Sequence, residues 1–163
     1  MDITVIGAGY VGLTTSAALA YLGHTVHCIE QNNERLTKLQ SGVMPFHEPG
    51  LGELLNSGLQ VSFGGWDSFS GQSNIIFISV GTPERGNGDA DISQVETAAR
   101  EIARRIGDSA DVLLAIKSTI RPGTTKHLDN VIKNVRNSQC QHDGIGFSGG
   151  TETVSNRHLP SQS

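Results

Sequence analysis

The chain has no run of basic side chains. Twelve Lys and Arg stand against sixteen Asp and Glu, for a formal net charge of -4 over 163 residues. A nucleic-acid surface needs clustered cations to neutralise phosphates, so that class of partner is excluded. No apolar stretch approaches the roughly 20 residues that cross a bilayer. No leader precedes the first strand, which begins by Ile3, so a secretory signal is not expected. The only two cysteines, Cys28 and Cys140, make no disulfide framework, and the expected compartment is the cytoplasm. Six histidines are scattered: His24 and His27 flank a strand, His47 lies in a turn, His127 on a helix, and His142 and His158 in a polar tail. No pair of them has a third donor at ligand spacing, so no metal site is expected.

What the chain does have is concentrated at its start. Met1-Asp2-Ile3-Thr4-Val5-Ile6 leads into Gly7-Ala8-Gly9-Tyr10-Val11-Gly12 and then into a helical pattern. Ile3, Val5 and Ile6 read as a strand buried on both faces, as a parallel sheet requires. Gly7 permits a tight turn, Gly9 lets the backbone approach a pyrophosphate, and Gly12 lets the helix lie close to the strand. The helix that starts here presents unpaired N–H groups and a partial positive charge to a phosphate. Glycine-rich turns are common, so it is the position between strand and helix that gives this one weight.

Periodicity predicts helices over 10–22, with Leu13, Ala17, Ala18 and Leu19 turned towards the sheet, over 33–41, from Leu51 to Leu55, from a capping box at Asp91-Ile92-Ser93-Gln94 to about Ile106, and from Pro122 through Val135. It predicts strands over 25–29, 59–63, 75–80 and 112–116. Asp91 reads as the cap of the fourth helix, and Glu101, Arg104 and Arg105 as a solvated helix face. The Gly- and Ser-rich stretch from Gly64 to Ser73 holds the only tryptophan, Trp66, and suggests no function. Strands alternating with helices imply an α/β fold: a doubly wound, Rossmann-like parallel sheet in a single domain over residues 1–136. Glu30 ends the second strand 18 residues after Gly12, close to the spacing at which a carboxylate meets an adenosine ribose. At ~4 Å and an effective dielectric near 20, its charge would oppose a 2′-phosphate by on the order of 4 kcal/mol before screening. That favours NAD over NADP.

From Asn137 to Ser163 the chain is dominated by Ser, Asn, Gln, Gly, Thr and His. Ile145-Gly146-Phe147 could add a marginal sixth strand. The rest offers too little apolar surface to offset an ordering entropy of ~1–2 kcal/mol per residue, so residues 137–163 are expected to form a poorly ordered polar tail.

Five motifs in order carry a more specific resemblance. They are Ile6-Gly7-Ala8-Gly9-Tyr10-Val11-Gly12-Leu13, Glu48-Pro49-Gly50-Leu51, Ser79-Val80-Gly81-Thr82-Pro83, Asp89-Ala90-Asp91-Ile92-Ser93, and Lys117-Ser118-Thr119-Ile120-Arg121-Pro122-Gly123-Thr124-Thr125. Together they resemble the amino-terminal domain of the UDP-glucose/GDP-mannose dehydrogenase family, over roughly Met1 to Val135. The pairing of Lys117-Ser118-Thr119 with Glu48-Pro49-Gly50-Leu51 leans towards UDP-glucose. The resemblance implies oxidation of a nucleotide sugar's primary 6-hydroxyl to a carboxylate with two NAD, a step of nucleotide-sugar metabolism that feeds polysaccharide biosynthesis. It places Gly7, Gly9, Tyr10, Val11 and Gly12 at the pyrophosphate, and Glu30 and Arg35 at the adenosine ribose. Gly81, Thr82 and Thr119 would line the cofactor cleft. Thr119 takes the catalytic role of orienting water, because its hydroxyl can both donate and accept.

The resemblance also implies a glutamate-bearing motif after a sixth strand, where this chain has Gly144-Ile145-Gly146-Phe147-Ser148-Gly149-Gly150-Thr151-Glu152. That segment does not match, and Glu152 does not inherit the role. The family's second domain and its nucleophilic cysteine, whose thiolate adduct makes the aldehyde a second hydride donor, have no counterpart in these residues. Neither Cys28 nor Cys140 is a substitute. Three readings stay open: a truncated piece of the dehydrogenase that binds NAD without turnover, a stand-alone NAD-binding or assembly module, or a non-functional product with a rearranged end. A nucleotide sugar is expected as partner only where the missing domain is supplied, and oligomeric state is not legible.

Overall fold

A computed structural model describes residues 1–86, 88–107, 112–143 and 151–155, with 139–143 and 151–155 described through their backbone. The elements run β1 (Asp2–Ile6), α1 (Tyr10–Tyr21), β2 (Thr25–Ile29), α2 (Asn33–Gln40), α3 (Leu51–Leu55), β3 (Val61–Gly64), a 3-10 turn at Trp66–Ser68, β4 (Ile75–Ile78), α4 (Ser93–Arg105), β5 (Val112–Ile116), α5 (Thr124–Asp143) and β6 (Thr151–Ser155). The strands form one sheet in the order β3-β2-β1-β4-β5-β6. Every neighbouring pair is parallel. The order reverses between β1 and β4, and in open sheets of this kind ligands bind outside the carboxyl ends of the strands at such a point.

Alternation along the strands divides the core. Successive side chains point to opposite faces of a sheet. Val5, Val26 and Cys28 meet Leu13, Ala17 and Ala20 of α1 and Leu51 and Leu55 of α3 on one face. Ile6, Ile29, Ile78, Leu114 and Ile116 meet Val95, Ala99 and Ile102 of α4 and Leu128 and Ile132 of α5 on the other. Each fully buried aliphatic side chain contributes roughly 1.5–3 kcal/mol relative to exposure. Both faces are covered, which is why the central strands are continuous apolar runs.

The helix starts follow their capping chemistry. The Asn32 side chain accepts from the Arg35 N–H at 2.9 Å and caps α2. Asp91, expected to cap α4, lies one residue before the N-cap, Ile92, and accepts from the Ser93 N–H at 2.9 Å.

Two expectations need correction. On α1 the buried positions are Gly12, Leu13, Ser16, Ala17 and Ala20, so Ala18, expected inward, is exposed. The last helix runs on from Val135 to Asp143, into the segment expected to be tail. The sixth strand lies at Thr151–Ser155, parallel to β5 with Leu114 opposite Thr153. The expected strand at 145–147 lies outside the described residues.

Candidate functional site

The turn after β1 is shaped by what two glycines leave out. Gly7 has φ +99, a left-handed conformation that an L side chain rarely adopts, and a Cβ there would lie 2.9 Å from the Ser79 carbonyl oxygen. A Cβ on Gly12 would stand 1.8 Å from the Gly7 carbonyl oxygen, so α1 can rest on the turn only because position 12 has none. Gly9 differs from both. Nothing lies within 4 Å of its Cβ position, leaving an open cradle beside the backbone. At that point α1 begins with no side-chain cap and no acidic residue in its first turn. Its first N–H groups and partial positive charge therefore remain available to an anion.

Glu30 closes the other side of this cradle. It is only 4% exposed and hydrogen-bonded at both oxygens. Oε2 accepts from the Ala8 N–H of the glycine turn at 3.2 Å and from Arg35 Nη1 at 3.0 Å, while Oε1 accepts from the Asn32 N–H at 2.8 Å. The carboxylate thus ties the end of β2 to the turn after β1. Arg35, the second predicted ribose residue, is held by Glu30, with its side chain 42% exposed.

A cavity of about 390 Å³ opens at this edge of the sheet. Of the predicted residues it brings together Gly7, Gly9, Glu30, Arg35 and Gly81. Tyr10 and Val11 stand exposed at the first turn of α1, with the Tyr10 ring 5.6 Å from that of Phe46. Thr82 and Thr119 lie in the loops after β4 and β5, half-buried and exposed respectively, outside the cavity lining. Those loops are tied together: the Ser118 hydroxyl donates to the Val80 carbonyl at 2.6 Å, and Arg121 pairs with Asp89. Arg85 and the Ser93 N–H hold the Asp91 carboxyl down to about 2.

Among the lining residues that sequence reasoning passed over are Trp66, Ser79 and Gln94. The Ser79 hydroxyl is buried without a hydrogen-bond partner among the described residues. Trp66 carried one signal, as the only tryptophan in a stretch of small polar residues. Arg105 also departs from the solvated-face reading, because its guanidinium carbon lies 5.3 Å from the centre of the Trp66 ring.

The other candidate groups are structural. Cys28 is fully buried, and burial pushes its thiol up to about 12, far from a reactive thiolate. His27 sits between Ser62 and Ser68, at 2.7 and 3.0 Å, with its pKa lowered by burial. Among the described residues no group of three or more His, Cys, Asp or Glu could hold a metal ion. Among them, too, no helix is long and apolar enough to cross a membrane.

Residues 1–148 match the model of the NAD-binding domain of the UDP-glucose/GDP-mannose dehydrogenase family. The UDP-glucose 6-dehydrogenase YwqF of Bacillus subtilis is 37% identical over 136 residues, covering 81% of this chain and 30% of that protein. The UDP-glucose 6-dehydrogenase of Rhizobium meliloti is 38% identical over 138 residues, covering 82% and 31%. The chain thus spans about 30% of the length of the curated relatives it matches. Among solved structures, a ternary complex of GDP-mannose dehydrogenase from Pseudomonas aeruginosa superposes with a TM-score of 0.80 at 31% identity, over 95% of this chain and 36% of the other. A UDP-glucose dehydrogenase from the archaeon Pyrobaculum islandicum gives 0.74 at 32% identity, over 94% and 35%.

Proposed function

Because the chain belongs to the UDP-glucose/GDP-mannose dehydrogenase family and matches its NAD-binding domain, we propose that it holds NAD for oxidation of the primary 6-hydroxyl of UDP-glucose, or a related nucleotide sugar, to a carboxylate with two NAD. The observation that carries this reading is Glu30, buried at the lip of the glycine turn and bonded to the turn's own Ala8 N–H. Bound there, NAD supplies the hydride acceptor. The contacts to the cofactor fall to the chain's own residues. The open side of Gly9 and the first N–H groups of α1, from Tyr10 and Val11, take the pyrophosphate, with Gly7 and Gly12 fixing the turn.

Glu30 takes the adenosine ribose. Three donors occupy three of roughly four lone-pair sites on its carboxylate. Two of those donors are backbone and fixed. Arg35 is the exposed third, able to swing aside or turn its guanidinium to the sugar. Gly81 and Thr82 border the cofactor cleft, and Thr119, after β5, orients a water for the chemistry. The nucleotide sugar would be met by chain beyond the region matched here, and the cytoplasm is the compartment where such a cofactor and substrate coincide.

A chimera tests this reading. Residues 1–136 replace the corresponding domain of the Bacillus subtilis UDP-glucose 6-dehydrogenase, and NADH is followed spectrophotometrically with UDP-glucose or GDP-mannose. The expected outcome is two NADH per UDP-glucose from the chimera and none from the 163 residues alone. A folded chimera that forms no NADH with either sugar contradicts the proposal.

A further inference from the structure

Trp66 is the only tryptophan in the chain, and the roles assigned above do not use it. It opens the short 3-10 turn after β3, well away in sequence from the glycine turn. Yet it lines the same cavity as Glu30, Arg35 and Gly9. Its ring is fixed from two directions. Phe69, itself buried, meets it edge-on with ring centres 5.9 Å apart and an interplanar angle of 78°. Arg105 lies over the ring at 5.3 Å, with its guanidinium paired to Glu101, a carboxylate whose pKa is lowered chiefly by that bond. Trp66 also packs against the apolar cluster of α4 and the sheet. An indole held this way is a rigid, half-buried aromatic surface in a cavity that also holds a buried carboxylate and a phosphate-binding turn.

We infer that Trp66 is the aromatic wall of the purine subsite. A dinucleotide laid with its pyrophosphate on the glycine turn and its ribose on Glu30 must project its base further along the cavity, away from the turn. Trp66 supplies there the one surface with a π-face, and a purine has two such faces to offer it. Arg105 is a positioning residue: its cation over the ring restricts the indole, so less freedom is lost when a base arrives. Polar groups such as Gln94 remain to meet the edge of the base. This assignment rests on the reading of the cavity as the NAD site, and it adds which residue grips the adenine.

The test uses the 163-residue chain and three probes: NAD, AMP and nicotinamide mononucleotide. As the sole tryptophan, Trp66 reports directly through its own fluorescence. NAD and AMP should change the emission, saturating with the same dissociation constant that calorimetry gives, whereas nicotinamide mononucleotide should leave it unchanged. Trp66→Leu should weaken NAD and AMP on the order of tenfold, which is ~1.4 kcal/mol, with Trp66→Phe recovering part of the loss. Thermal melting of both variants separates a lost contact from a lost fold. If NAD binds by calorimetry but the emission does not move, or Trp66→Phe and Trp66→Leu bind as tightly as the parent, the Trp66 assignment is overturned and the NAD reading stands. If neither NAD nor AMP binds the parent chain, both fall together.

Discussion

The two flanks of the cavity are built differently. The flank from β1 through β2 is locked by backbone. Gly12 lies against the Gly7 carbonyl, and Glu30 is buried with both oxygens bonded, two of its three donors being main-chain N–H groups. On the other flank, the loops after β4 and β5 carry Thr82 and Thr119 outside the cavity lining and are joined by the Ser118–Val80 hydrogen bond and by one ion pair between exposed and half-exposed side chains, Arg121–Asp89. A site that must recognise one invariant half of a cofactor gains from rigidity, because little is lost on binding. On the proposed reading, the difference locates cofactor recognition in the first flank.

Substitution on each flank sharpens the contrast. Gly12→Ala should be the most damaging single change, since its Cβ would overlap the Gly7 carbonyl and the atoms that must shift are backbone. We expect a loss at the upper end of the overpacking range, ~3 kcal/mol by urea denaturation, together with loss of NAD binding. A stable, NAD-binding Gly12→Ala protein would mean the first flank is not locked. Arg121→Ala on the second flank should cost far less. Its pair with Asp89 joins side chains 64% and 32% exposed, so about 0–1 kcal/mol is expected, fading further in high salt. A large, salt-insensitive loss would show that the second flank is as rigid as the first.

The first flank was also the more legible in sequence. The glycine turn, Glu30 at the end of β2, and the bounds of β2 follow from local rules: an apolar run near a glycine stop, and a carboxylate at a fixed spacing. β6 and Trp66 do not. Thr151-Glu152-Thr153-Val154-Ser155 has few apolar groups and lies at the sheet edge, where a strand is recruited by main-chain pairing to β5, a relation that hydrophobic periodicity does not register. Trp66 belongs to the cavity only because β3 is placed beside β2, which brings residues more than thirty apart in sequence to one end of the sheet. Arg136 is a similar case: a charged residue on a helix whose pattern had faded, yet 3% exposed and donating to the Gly107 carbonyl at 3.0 Å.

The central claim is that a buried carboxylate beside the glycine turn makes this an NAD site. Calorimetric titration of NAD and NADP into the parent chain and into Glu30→Ala tests it most directly. The parent should bind NAD at least about tenfold more tightly than NADP, a preference of ~1.4 kcal/mol or more. In Glu30→Ala, with Arg35 released from its pair, NAD should weaken and the preference should vanish. Equal binding of the two cofactors by the parent, or a preference for NAD that survives in Glu30→Ala, would contradict the account.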